Sequence, residues 1–263
     1  MNINGKRAVA YFDILGFKAK IINTPLDKLS AKYDRIIQQT DGEFTLEDSQ
    51  FIRREVCYRY VFSDSIFLVA KEDTEESFID MLSYAWRMMQ FFLVSGFALR
   101  GAVTYGYIYA NIDYNVFVGK AIVDAVVLEG QQDWSGAVVD KPVIERYYHI
   151  FEREDIQGAI MRCLLPIHDV AFKNGERKDY HVINWRMNLA SEIGIKALFK
   201  NEDHDESAQR KIDNALRFSK EVFESGLYKF NDEVIPIRYR VLIVGKKTPP
   251  DPKKPFFPLN DGY

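Results

Sequence analysis

The stretch RAVAYFDILGF, residues 7–17, carries the decisive signal for the fold. Ala8 to Phe12 form an apolar run of strand length, and Asp13 interrupts it just before a turn signal at Gly16. A carboxylate at the end of a buried strand is costly without compensation. A turn or helix cap is one explanation, and a bound cation is another.

FSDSIFLV, residues 62–69, repeats the pattern, with Asp64 breaking a second β-rich run. Ser and Asp are ordinary turn residues, so a hairpin between 52–63 and 64–71 accounts for it locally. Taken together the two carboxylates say more. Two aspartates at the tips of neighbouring strands can converge on one divalent ion, with water and phosphate oxygens completing the shell.

Working outward, the spacing predicts a strand over 7–14 and amphipathic helices over 26–40 and 75–94. Strands follow over 97–105 and 107–117 on either side of Gly106, then a helix over 119–133 and a short strand over 136–140. This order implies an α+β fold of ferredoxin-like type, a mixed sheet with flanking helices. Further on, strands are expected over 159–170, 179–185 and 237–245, a helix over 205–225, and a proline-rich extended tail. The expected division is a catalytic domain over 1–190 and a C-terminal helix-strand extension over 191–263.

Composition narrows the function. The chain has 263 residues, 47% of them apolar, and a net charge of −3. That balance gives no reason to expect a nucleic-acid partner. No apolar stretch is long enough to span a bilayer, and the N-terminus does not read as a signal peptide. The expected location is the cytoplasm, with no membrane partner. Cys57 and Cys163 lack metal-ligand spacing and read as buried, reduced thiols. The four histidines are scattered and read as structural.

Four segments in order resemble the class III nucleotidyl cyclase catalytic domain. YFDILGF (11–17) is similar to that family's first metal strand, and FSDSIFLV to its second metal hairpin. LRGAVTYGYIY (99–109) is similar to its L-R-x-G-I-x-x-G strand pair, and VGKAIVDAVVLEG (118–130) to its last motif. The resemblance covers roughly residues 7–140. It implies that Asp13 and Asp64, with the carbonyl of Ile14, hold two Mg²⁺ or Mn²⁺ ions per site. It implies that the amides of Leu15, Gly16 and Phe17 cradle phosphates. It also implies a homodimer with shared active sites, in which a ribose 3′-oxygen attacks the α-phosphorus and pyrophosphate leaves. Arg100, beside the metal strand, is a candidate for phosphate or ribose contact, or else a surface or dimer-interface residue. Lys120, at a helix start, is a candidate anion contact, or else a solvated lysine.

The sequence departs from the family where the family reads its substrate. Val123 and Val127 fall at the positions of its transition-state Asn and Arg. Tyr60 replaces its adenine-reading lysine, and Val116 its second base-reading residue. This pattern resembles the stand-alone bacterial pyrimidine cyclases of anti-phage defence. The implied reaction is UTP to 3′,5′-cyclic UMP, with a cyclic-nucleotide-binding effector reached only through the product. CTP as substrate, a purine substrate, a non-catalytic nucleotide sensor and a polymerase-like palm domain remain open beside it. Tyr58, Tyr60 and Phe62 would share one strand face, where the Tyr60 ring either faces the base or is ordinary sheet packing.

Overall fold

The computed structural model describes residues 2–44, 51–53, 55–187, 189 and 206–227. Strand β1 (Asn2–Ile14) lies inside a mixed sheet. Its alternation puts Ala8, Ala10, Phe12 and Ile14 into the main core and turns Val9, Tyr11 and Asp13 to the other face. Next come helices α1 (Phe17–Asn23) and α2 (Leu26–Asp41), and a small hairpin of β2 (Gly42–Phe44) and β3 (Phe51–Arg53). The larger hairpin is β4 (Cys57–Phe62) and β5 (Ser65–Ala70).

Helix α3 (Glu75–Val94) starts at Thr74, whose hydroxyl accepts from the amide of Ser77 at 3.2 Å, and carries Glu75 and Glu76 in its first turn. It buries Phe78, Met81, Leu82, Ala85, Met88 and Phe92 and stops before Gly96, which adopts a positive φ of 79°. Strand β6 (Leu99–Asn111) then pairs antiparallel with the whole of β1. The spatial order β4-β5-β1-β6, with α2 and α3 as crossovers, is the ferredoxin-like arrangement expected from the pattern.

Beyond β6 the sheet continues through β8 (Gly136–Val139), β10 (Arg177–Val182) and β9 (Ile167–Ala171); β6–β8 is the parallel pair. Strand β7 (Val116–Val118) pairs with the far end of β6, and α4 (Lys120–Gln131) lies across the face that carries Asp13. Among the described residues the other α-helices are α5 (Lys141–Glu152), α6 (Ile156–Leu164) and α7 (Glu206–Glu224). Ile212, Ala215, Phe218 and Val222 of α7 join the same core as the sheet. Among the described residues no helix is long and apolar enough to cross a membrane.

Three expectations fail. Gly106 does not divide two strands; β6 runs straight through it, opposite Arg7. A side chain there would lie 3.5 Å from Ala121 of α4, an ordinary van der Waals contact, so α4 lies against this point of the strand without demanding a glycine. The turn comes later, at Ile112–Asn115, where the Asn111 side chain accepts from the Tyr114 amide at 3.3 Å. Residues 159–170 are not one strand. Asp155 caps α6 by accepting from the Gly158 amide at 3.0 Å, and the helix ends before Pro166, leaving only 167–171 extended. Residues 52–63 are not continuous either, since 51–53 pair with β2. Helix α5 was legible but not read: Asp140 caps it and Pro142 stands in its first turn. The strand expected over 237–245 and the proline-rich tail lie outside the described residues.

Candidate active site

Asp13 is the penultimate residue of β1, opposite Ser65 on one side and Arg100 on the other. Asp64 occupies the two-residue turn between β4 and β5, after Ser63, whose φ is 57°. The amide of Ile14 donates to the main-chain carbonyl of Asp64 at 3.1 Å, so the end of β1 and the tip of the hairpin are one unit. Two contacts fix that unit. Tyr33 of α2 donates its hydroxyl to the Ser63 carbonyl at 3.1 Å, and the Tyr11 hydroxyl lies 3.0 Å from that of Ser65.

The electrostatics are those of a site short of positive charge. Burial pushes the Asp13 carboxyl up to about 6, and the negative charges of Glu129 and Asp64 push in the same direction; Arg100 and Lys173 oppose them. Two carboxylates in a partly dry site, one resisting ionisation, are a donor set that a divalent cation stabilises. Among the described residues no group of three or more His, Cys, Asp and Glu side chains is arranged to hold a metal. An ion held by Asp13 and Asp64 would draw its remaining oxygens from main chain, water or substrate, and Ile14 follows Asp13 at the end of the same strand.

Gly16 follows at φ 71°, ψ 14°, with nothing within 4 Å of where a side chain would begin. The conformation, rather than crowding, is what asks for glycine. As the first amides of α1, those of Gly16 and Phe17 have no acceptor within their own helix. Leu15 differs: its amide donates to the Ala98 carbonyl at 2.9 Å, which removes it from the expected cradle.

The remaining expected residues are placed less simply. Arg100 is 7% exposed; its guanidinium pairs with the buried carboxylate of Glu129 and donates to the Gln132 carbonyl at 3.2 Å. It is neither a surface residue nor free to reach a ligand without leaving that pair. Lys120 is exposed and paired with Asp124 at 2.6 Å. Its neighbour Ala121 packs at Gly106, six residues along β6 from Arg100, or roughly 20 Å at strand rise. Lys120 is therefore remote from Asp13 within one chain. Tyr60 shares a face with Tyr58 and Phe62 as expected, but its ring packs on Phe117 with centroids 4.0 Å apart. Phe62, at the hairpin tip, is 82% exposed.

Sequence reading missed Glu129 and Lys173. A glutamate at the end of a helix, or a lysine in the Lys173–Glu176 turn, carries no signal until the fold sets both near Asp13.

The site and sheet together define a ferredoxin-like α+β domain with paired carboxylates at the tips of two adjacent central strands. No protein-family model matches this sequence, and no curated protein does. Among solved structures the chain is similar to the adenylyl cyclase CyaB from P. aeruginosa, with 12% identity, a TM-score of 0.46, and 70% of this chain and 96% of that one covered. It is also similar to the guanylate cyclase domain of RhGC from Catenaria anguillulae in complex with GTP, with 14% identity, a TM-score of 0.45, and 69% and 97% covered. A class III adenylyl cyclase-like ATP-binding protein from Pseudomonas aeruginosa gives 14% identity, a TM-score of 0.39, and 57% and 37% covered. Likenesses of this size assign neither activity nor substrate.

Proposed function

We propose that this chain is a metal-dependent nucleotidyl cyclase. One observation carries the reading: Asp13 and Asp64 stand at the ends of paired strands, near enough for the Asp64 charge to help raise the Asp13 carboxyl. Asp13, Asp64 and the Ile14 carbonyl would hold Mg²⁺ or Mn²⁺, two per site. When bound, the ions supply positive charge to the polyphosphate and acidify the attacking hydroxyl. The amides of Gly16 and Phe17 orient the phosphates. In the reaction the 3′-oxygen of a nucleoside triphosphate bonds to the α-phosphorus, the bond to the β-phosphate oxygen breaks, and pyrophosphate leaves.

The finer reading is a pyrimidine cyclase that converts UTP to cyclic UMP, with CTP the alternative. Its support is the sequence, where Tyr60 and Val116 replace residues that read purines in the family this chain resembles. The proposed setting is cytoplasmic anti-phage signalling through a cyclic-nucleotide-binding effector. A homodimer with shared sites is part of the proposal. Val123 and Val127 on the outer face of α4 are 59% and 52% exposed, and Val118 beside them is 61% exposed. Such an apolar strip suits a second copy, and Lys120 on the same helix would then reach the partner's site. The same two valines also favour a second reading, nucleotide binding without turnover, because α4 offers no amide or guanidinium there.

Incubation of the purified protein with each of ATP, GTP, CTP and UTP and Mn²⁺ tests these points together. Cyclic UMP and pyrophosphate are expected from UTP. Product from a purine alone removes the pyrimidine reading, and binding without product from any of the four replaces the cyclase reading by the sensor. Val123→Asp with Val127→Asp should give a monomer by sedimentation and should lose turnover; a dimer that survives both changes contradicts the shared-site model.

A further inference from the structure

Helix α7 takes no part in the proposed site, yet it is bonded to it through a path that starts at the half-exposed Arg210 and runs inward through buried groups. It packs its apolar face into the core, bonds to Asp169 through Arg217, and makes two further polar contacts that matter here. Near its start Arg210 donates to the Asp133 carboxylate, and Asn214 donates to the Asp133 carbonyl at 2.8 Å. Two turns later Phe218 stands edge-on to Trp134, with centroids 5.6 Å apart, and His168 lies 2.7 Å from the Glu221 carboxylate. Asp133 is 5% exposed, and its Oδ1 has no hydrogen-bond partner. Arg210 is the cation bonded to this buried carboxylate, while main-chain bonds from the Asp133 amide to Ala171 and from the Lys173 amide to Gln131, each 2.8 Å, tie the segment to the sheet from the other side.

Asp133 closes the segment 129–133, which grips β6 beside Asp13. Glu129 pairs with Arg100, the Gln132 carbonyl accepts from Arg100, and the Gln132 amide side chain donates to the Gly101 carbonyl at 2.9 Å. Arg100 and Gly101 lie opposite Asp13 and Phe12. Glu129, Gln132 and Arg100 are all buried, so the links are shielded from water, where hydrogen bonds and charges couple most strongly. Lys211, next to Arg210, lies close enough to feel the charges of Asp133, Arg100 and Lys173.

We propose that Arg210 and Asn214 are positioning residues for the phosphoryl-transfer site: by holding Asp133 they fix the 129–133 segment, and through it seat the Arg100 guanidinium beside Asp13. The proposal rests on the cyclase reading, and it makes α7 a working part of the enzyme. A helix that only padded the core would act through stability alone. A positioning helix acts on the chemical step, because a small displacement of an active-site charge lowers the rate while substrate binding is kept.

Full-length wild type, Arg210→Ala, Arg210→Lys and Glu221→Ala test this, by steady-state kinetics with Mn²⁺ and by hydrogen exchange of residues 129–133. Arg210→Ala should lower kcat roughly ten- to a hundredfold, leave KM within about twofold, and speed exchange at 129–133. Arg210→Lys should restore most of both. Glu221→Ala, which loosens a different contact of α7, should change neither. Wild-type kcat in Arg210→Ala, or an equal loss in Glu221→Ala, overturns the proposal. If wild type forms no product from any triphosphate, the cyclase reading has failed on its own, and the exchange arm decides the positioning claim. Unchanged exchange at 129–133 in Arg210→Ala then overturns it. Should Arg210→Ala not fold, Arg210→Gln takes its place in every arm.

Discussion

The Ile14 amide bonds to the Asp64 carbonyl at 3.1 Å, extending the β1–β5 pairing that sets Asp13 opposite Ser65, so two aspartates from distant parts of the sequence stand at neighbouring strand ends. Asp13 bears the cost: burial and the charges of Glu129 and Asp64 hold its carboxyl up to about 6.

Removing that charge should therefore stabilise the metal-free protein. Asp13→Asn is expected to raise the melting temperature without added metal and to abolish the further rise that Mn²⁺ gives the wild type. It should also abolish turnover. Differential scanning fluorimetry with and without Mn²⁺ reads the first two effects. A variant that melts lower than wild type and still responds to Mn²⁺ would show that Asp13 is not a ligand.

Arg100 and Glu129 form a buried pair, with side chains 8% and 6% exposed. Arg100→Ala leaves Glu129 charged and alone in the core, a loss of about 3–5 kcal/mol. Arg100→Met combined with Glu129→Leu should recover much of it, since well-packed apolar replacements of such pairs are often neutral. Urea unfolding measures both, and a single variant as stable as the double one would mean that the pair is solvated in solution.

Gly16 is held at φ 71° with open space around it. Gly16→Ala should cost only the left-handed conformation, about 1 kcal/mol, which is a fall of roughly 2–4 °C in Tm for a chain of this size. If the Gly16 and Phe17 amides bind phosphate, KM for the triphosphate should rise alongside. An unchanged KM would take the phosphates elsewhere.

Tyr60 distinguishes packing from base reading. Its ring contact with Phe117 predicts that Tyr60→Phe keeps the stability and Tyr60→Ala lowers it. If the hydroxyl reads a pyrimidine edge, Tyr60→Phe should still alter the ratio of UTP to CTP turnover. A ratio identical to wild type would assign Tyr60 to packing alone.

His168 makes the docking of α7 sensitive to pH. Burial pulls its imidazole below the usual value, against the opposite pull of Glu221. The unfolded chain therefore takes up the proton first as pH falls. The stabilisation is complete above about pH 6.5 and is lost as pH drops from there through the lower folded value. Exchange of the α7 amides should quicken as pH falls below about 6.5 in wild type, and His168→Gln should flatten that dependence. Equal pH dependence in both proteins would remove His168 as its cause.

Much of this molecule was legible because it is local. Helix α3 matches its expected bounds, since a capping Thr74, a repeating apolar face and Gly96 all lie within one stretch of chain. The strand ending in Asp13 and the hairpin at Asp64 could be read for the same reason: polar residues interrupting apolar runs mark strand ends wherever they occur. The alternation that groups Tyr58, Tyr60 and Phe62 was likewise fixed by strand geometry alone. The sequence by itself thus determined the ferredoxin-like order of elements and the two carboxylates.

What those residues touch was decided only by the tertiary structure, because burial and charge act between residues far apart in the chain. Arg100 had two readings until Glu129, 29 positions away, took its guanidinium. Tyr60 looked open to a base until the β6–β7 turn set Phe117 against it. Gly106 reads as a break locally, but pairing with Arg7 on the neighbouring strand carries β6 straight through it. The link from α7 to Asp133 spans 77 positions, and neither end carries a local sign of the other. A carboxylate's surroundings are a sum over space, and only the folded chain performs that sum.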